Sequence, residues 1–178
     1  MINVSYQSEF DKDGQGFLRV IDSEDKLEYH YTDFSPYHAH SFIPCFNQPD
    51  IKGTFRLKVT APSEWKIISN EVVESLKTLD AEQIVQFATT PLMSTYLFFL
   101  GAGPYVEWKD QYRDIPLSIF ARKSLEKNVD QERMFKTIKS GLKYFETYFD
   151  YPYPYKKYDH IFIPDFIWGA MENPGALS

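Results

Sequence analysis

The stretch Gly169-Ala170-Met171-Glu172-Asn173 places a carboxylate close to two residues with little or no side chain. Small residues leave the main chain accessible, so a peptide could lie alongside and pair by main-chain hydrogen bonds, as in strand addition. Glu172 could then meet a cationic end group. On the residues alone, a solvated turn running into Pro174-Gly175 is the simpler reading. Other stretches offer less. His38 and His40 would share a face if residues 37–41 were extended, with His30 and Cys45 nearby in sequence. There is no His-Glu-x-x-His and no cysteine pair, so hydrogen-bonding or exposed histidines are expected in place of a metal site. Gly14-Gln15-Gly16 lacks the further glycine and the Lys-Ser/Thr of a phosphate loop and reads as a hairpin turn. Tyr151-Pro152-Tyr153-Pro154-Tyr155 is either an aromatic platform for a sugar or Pro-rich ligand or a rigid connector packed on the preceding helix; the connector is expected.

The elements that must hold these residues fall into two regions. Up to about Trp108 the chain reads as strands and turns. Phe17 to Ile21 and Leu27 to Tyr31, separated by a polar run, suggest a hairpin. Phe55, Leu57, Val59 and Ala61 alternate with Arg56, Lys58 and Thr60, the period of a sheet with one buried face. Lys66 to Ser69, Gln83 to Thr89 and Thr95 to Leu100 are further strand candidates, the last ended by Gly101-Ala102-Gly103-Pro104. Lys109 to Asp114 reads as a connector and Leu117 to Ala121 as another strand. A helix then starts at Asp130, with Met134, Phe135, Ile138, Leu142, Phe145 and Phe149 on one face that must pack against something. Pro152 and Pro154 stop it, and Ile161 to Ile163 is a short strand before the candidate segment.

At 178 residues, with 43% apolar and 17% aromatic content, the chain can bury a substantial core and is expected to be largely β. A net charge of −6 with scattered cations argues against nucleic acid as a partner. No apolar run is long enough to cross a bilayer, no signal peptide is visible at the start, and a lone Cys45 gives no reason to expect secretion. The expected location is the cytoplasm, with no membrane partner.

The five-residue segment is similar to the Gly-x-Met-Glu-Asn signature of the aminopeptidase N family. Its approach, Tyr151 to Asp159 and then Ile163-Pro164-Asp165-Phe166, resembles that family's Pro-Tyr-Pro, Lys-Tyr-Asp and Pro-Asp-Phe run. Upstream, Pro44-Cys45-Phe46-Asn47-Gln48-Pro49 resembles the family's Pro-Cys-Phe-Asp-x-Pro; Thr60-Ala61-Pro62 with Trp65, Ser69 and Asn70, and Phe87 to Tyr96, follow its pattern in order. The resemblance implies an α+β fold, mainly β. A β-sandwich or saddle domain over residues 1–110, incomplete at its start, would be followed over 111–178 by the opening strands and helix of a thermolysin-like catalytic domain. It also implies a zinc-dependent parent enzyme that hydrolyses amino-terminal residues from oligopeptides, with the zinc ligands outside this chain and the isolated chain inactive. Glu172 would pair with the free amino terminus of the peptide substrate. Gly169, Ala170 and Met171 would line its backbone, and Asn173 would complete the signature. Asp33 and Ser35 stand where the family usually places a Gln and a Gln or Glu in the same pocket. Asn47 stands where relatives usually have Asp, and Ser41 where many have Arg. The alternative is a noncatalytic peptide- or carbohydrate-binding β module.

Overall fold

Aromatic and β-branched residues dominate the first hairpin, where β1 (Gly16–Ile21) pairs antiparallel with β2 (Glu28–Asp33) from Gly16 opposite Asp33 to Ile21 opposite Glu28. The buried Asp22 shapes its turn: Oδ1 accepts the amides of Glu24 at 2.6 Å and Asp25 at 3.2 Å. The computed structural model describes residues 2–166 and 169–178. The sheet continues from β2 to β7 (Leu100–Gly103) and then β4 (Lys66–Ser69), giving the order β1-β2-β7-β4. The expected strand over Thr95 to Leu100 is displaced, since Thr95–Leu97 form a 3-10 turn and the strand runs through the glycines thought to end it. Close packing accounts for Gly101, because a Cβ there would sit 3.0 Å from the Phe99 ring.

A second sheet has the order β3-β6-β5, from Lys58–Pro62, Glu82–Phe87 and Val73–Thr78. The alternation expected over residues 55–61 is present, with the apolar positions half-buried and the polar ones exposed. β5 was not expected, and all six of its residues are exposed.

The third sheet positions the candidate segment. Its order is β11-β10-β9-β8, built from Ala176–Leu177, Tyr158–Phe162, Ile115–Ala121 and Val106–Tyr112. β8 and β9 are antiparallel; β9, β10 and β11 are parallel neighbours, with α2 (Gln131–Phe149) making the crossover from β9 to β10. The connector expected over Lys109 to Asp114 is instead the end of β8 plus a turn at Arg113 (φ 53°). Its polar side chains belong to an edge strand, and Asp110 pairs with Lys139 of α2 at 2.6 Å. Asp110, near which the junction is expected, lies within this strand.

α2 begins as its sequence predicts, the Asp130 carboxylate accepting the Arg133 amide at 3.1 Å. It ends at Asp150, which adopts the left-handed conformation (φ 49°, ψ 42°) and donates its amide to the Glu146 carbonyl. Phe135 is buried, and Met134, Ile138 and Leu142 pack against Ile115, Leu117 and Ile119 of β9. The expected packing of the whole stripe stops there: Phe145 and Phe149 are 55% and 65% exposed.

One core joins the first and third sheets. Tyr29 and Tyr31 of β2, with Phe99, pack with Phe120 of β9, Ile161 of β10 and Ala176 of β11. Each large side chain buried this way is worth about 1.5–3 kcal/mol. The Tyr29 hydroxyl adds a polar link, donating to Asp25 at 2.8 Å and accepting the Lys123 amide at 2.9 Å. The fold is α+β and mainly β, and among the described residues no helix is long and apolar enough to cross a membrane.

Candidate functional site

The segment 169–178 folds back on itself at the edge of the third sheet. Pro174 and Gly175 sit at the corner of a turn in which the Ala176 amide donates to the Asn173 carbonyl at 3.0 Å. Proline in second place and a glycine at φ 70° in third place make it a type II turn. Met171 and Ser178 then exchange both main-chain hydrogen bonds, at 2.6 and 3.1 Å, so Met171 lies outside β11 as a further rung. The Asn173 amide group reaches the Ser178 hydroxyl at 3.3 Å.

Two buried polar groups pin this turn to the fold. The Asn70 side-chain amide donates to the carbonyls of Pro174 at 3.1 Å and Leu97 at 2.9 Å, and its oxygen accepts the Phe99 amide at 2.8 Å. The Gly175 carbonyl accepts from the Lys157 ammonium at 2.8 Å and from the Asp159 amide at 3.0 Å. The same ammonium pairs with the Asp159 carboxylate. Burial pushes the Asp159 carboxyl above its ordinary range, and the Lys157 charge pulls against that rise. The Lys157 ammonium is tolerated this deep because it donates to the Gly175 carbonyl as well as pairing with Asp159.

Of the five predicted site residues, Met171 and Asn173 are buried while Gly169, Ala170 and Glu172 are exposed. A Cβ on Gly169 would meet nothing within 4 Å, so the main chain there is open to a ligand. Among the described residues the Glu172 carboxylate makes no hydrogen bond or ion pair, and the amides of Ala170 and Glu172 have no partner. Asp33 lies buried at the end of β2, its carboxylate accepting the Ser35 amide at 3.2 Å. Burial first, then the charges of Asp33 and Asp165, push the Tyr31 phenol up to about 12.

The remaining candidates have structural roles. His38 and His40 are not on an extended strand but lie at α1 (Ala39–Phe42), where His40 contacts the Asn47 side chain at 3.1 Å. Asn47 also accepts from the Thr95 hydroxyl at 2.8 Å, and Ser41 donates to the His38 carbonyl at 2.8 Å, so each has its own partners. Among the described residues no group of three or more His, Cys, Asp and Glu is placed to hold a metal ion, so these residues do not fit a zinc site. The roles of Asn70, Lys157 and Gly175 were not foreseen. The contact from Asn70 to Pro174 spans 104 residues of sequence, and no local pattern announces it.

The comparisons with known proteins agree with this architecture. The family model described as the peptidase M1 N-terminal domain matches residues 1–97, and that of the peptidase family M1 domain matches residues 133–178. Aminopeptidase N of Streptomyces lividans is 38% identical over 169 residues, covering 93% of this chain and 19% of that protein. Leucyl aminopeptidase of Saccharolobus solfataricus is 38% identical over 148 residues, with 83% of this chain and 18% of that protein covered. Probable aminopeptidase 1 of Sulfurisphaera tokodaii is 40% identical over 148 residues, again 83% of this chain and 18% of that protein. The chain thus spans about a fifth of the length of these relatives. With two models of one family matched in order along the chain, and the signature held at the edge of the sheet that the second of them enters, the chain belongs to peptidase family M1.

Proposed function

We propose that this chain supplies the amino-terminus-recognition segment of an aminopeptidase acting on peptides in the cytoplasm. The observation that carries the reading is an exposed Glu172, without a partner among the described residues, held between two buried neighbours, Met171 and Asn173, next to a rung at the edge of a sheet. In this reading the substrate lies along Gly169 to Met171 and its α-ammonium meets the Glu172 carboxylate, which sets cleavage one residue from the end. Asn173 keeps the turn in place, and Asp33 is a second anchor for the amine. The division into a β domain over residues 1–110 and the opening of a catalytic domain over 111–178 belongs to the same proposal. So does the inactivity of the isolated chain: the contribution of these residues is positional, and the zinc chemistry of the parent falls to residues other than these.

A charge-assisted contact of this kind is worth about 1.5–3 kcal/mol. At ~1.4 kcal/mol per factor of ten, Glu172→Ala in the parent protein should lower kcat/KM on amino-terminal amides roughly 10- to 150-fold. Discrimination against amino-acetylated peptides should fall with it. A variant that keeps full activity and full preference for a free amino terminus refutes the assignment.

A further inference from the structure

A cleft of about 600 Å³ is lined by β4 of the first sheet, β5 and β6 of the second and β8 to β10 of the third, and none of the five signature residues lines it. One wall is apolar, with Val73, Leu76 and Val85 from β5 and β6. Val73 and Leu76 are 49% and 59% exposed, so this wall faces the open space instead of a packed core. The charged lining is nearly self-contained. Lys66 and Lys109 both go to Glu107, at 2.9 and 3.3 Å, and Lys157 goes to Asp159. Glu64 is exposed to solvent.

Glu71 is the exception. It lines the same cleft, is only 5% exposed, and its buried Oε2 has no hydrogen-bond partner among the described residues. No ion pair among the described residues includes it, since every lysine on the cleft is committed to another carboxylate. A carboxylate withdrawn from water without a donor is costly, and proteins keep such a group where something charged comes to meet it.

We infer that this cleft is a binding site for an aliphatic ammonium group, with Glu71 taking the cationic head and the Val73, Leu76 and Val85 wall taking the methylene stem. A lysine side chain and a small free amine share that chemistry. None of the five signature residues lines this cleft, and the test below reads the Glu71 site alone, so each proposal can fail without the other.

The test uses the whole 178-residue chain, followed by two-dimensional amide NMR during titration with n-pentylammonium, sodium pentanoate, or the blocked peptide acetyl-Gly-Lys-Gly-amide. Pentylammonium should shift the amides of Glu71, Val72 and Phe87 saturably, and pentanoate, with the same stem and the opposite charge, should bind at least tenfold more weakly. Glu71→Gln, which preserves shape, should weaken pentylammonium binding tenfold or more. Tighter binding of the blocked peptide than of pentylammonium identifies a lysine side chain as the occupant; equal or weaker binding identifies the small amine. No saturable shift with either cation, or equal binding of pentanoate, overturns the inference. The pentylammonium and pentanoate arms use the unaltered chain and decide the matter even where the Gln variant does not fold. If it does fold, unchanged affinity for pentylammonium overturns the role of Glu71.

Discussion

Replacing Gly175 by alanine probes whether the signature loop is held by its turn. Gly175 has φ 70°, where an L side chain costs about 1–2 kcal/mol. A Cβ there would also lie well under 3.0 Å from the Asn70 carbonyl oxygen, and 3.4 Å from the carbonyl carbon. That oxygen cannot simply move aside, because the Asn70 side chain holds Leu97, Phe99 and Pro174 at once. Any shift of Gly175 instead lengthens its carbonyl contacts with Lys157 and Asp159, at 2.8 and 3.0 Å. Adding one weakened hydrogen bond to the backbone strain gives a loss of ~3 kcal/mol. For a chain of this size that is a fall in melting temperature of roughly 6–12 °C. Gly169→Ala is the control, since its Cβ meets nothing within 4 Å; its effect should stay within about 0.5 kcal/mol. Thermal unfolding followed by circular dichroism measures both. Equal midpoints for Gly175→Ala and the unaltered chain would show that the turn does not hold the loop as described.

Lys157→Met should cost about 3–5 kcal/mol in urea unfolding, because it strands the buried Asp159 carboxylate. Burial already raises that carboxyl, so the native state holds its proton above the ordinary carboxylate range and the loss should grow as pH rises through it; Lys157→Met with Asp159→Leu should recover most of the stability. An unchanged midpoint for the single variant contradicts the pairing. His160 behaves oppositely: burial lowers its pKa, so the unfolded chain binds the proton first and stability is lost as pH falls through the usual histidine range near ~6.5. His160→Phe should therefore lose less melting temperature than the unaltered chain between pH 7 and pH 5, and equal losses would rule out this source.

The parts of the fold legible in the sequence are those whose neighbours are close along the chain. The β1–β2 hairpin, the alternation over 55–61, β9 and the Asp130-capped helix all follow local periodicity or capping chemistry. β7 was obscured because Gly101 reads as a breaker, whereas its lack of a Cβ is what lets Phe99 pack against the strand. The sequences of β5, Val-Glu-Ser-Leu-Lys-Thr, and of the end of β8, Lys-Asp-Gln-Tyr, do not alternate apolar with polar residues, so neither gives the signal that marks a half-buried strand. The five signature residues were singled out through family resemblance, since two small residues, a methionine, an acid and an asparagine have no periodicity of their own. Their supports were not, because Asn70, Lys157 and Gly175 meet only after the chain has folded. The same holds for Glu71, whose isolation depends on where three lysines from β4, β8 and the approach to β10 direct their charges.

The reciprocal Met171–Ser178 pair, closed by the Pro174-Gly175 corner, has a consequence for how this segment can vary. Successive residues of extended chain face opposite ways, so the single rung fixes parity as well as place. Were the corner longer or shorter by one residue with the rung retained, an acid would exchange places with a thioether or a carboxamide. Loop length here therefore acts as an indexing device, choosing which side chain looks outward.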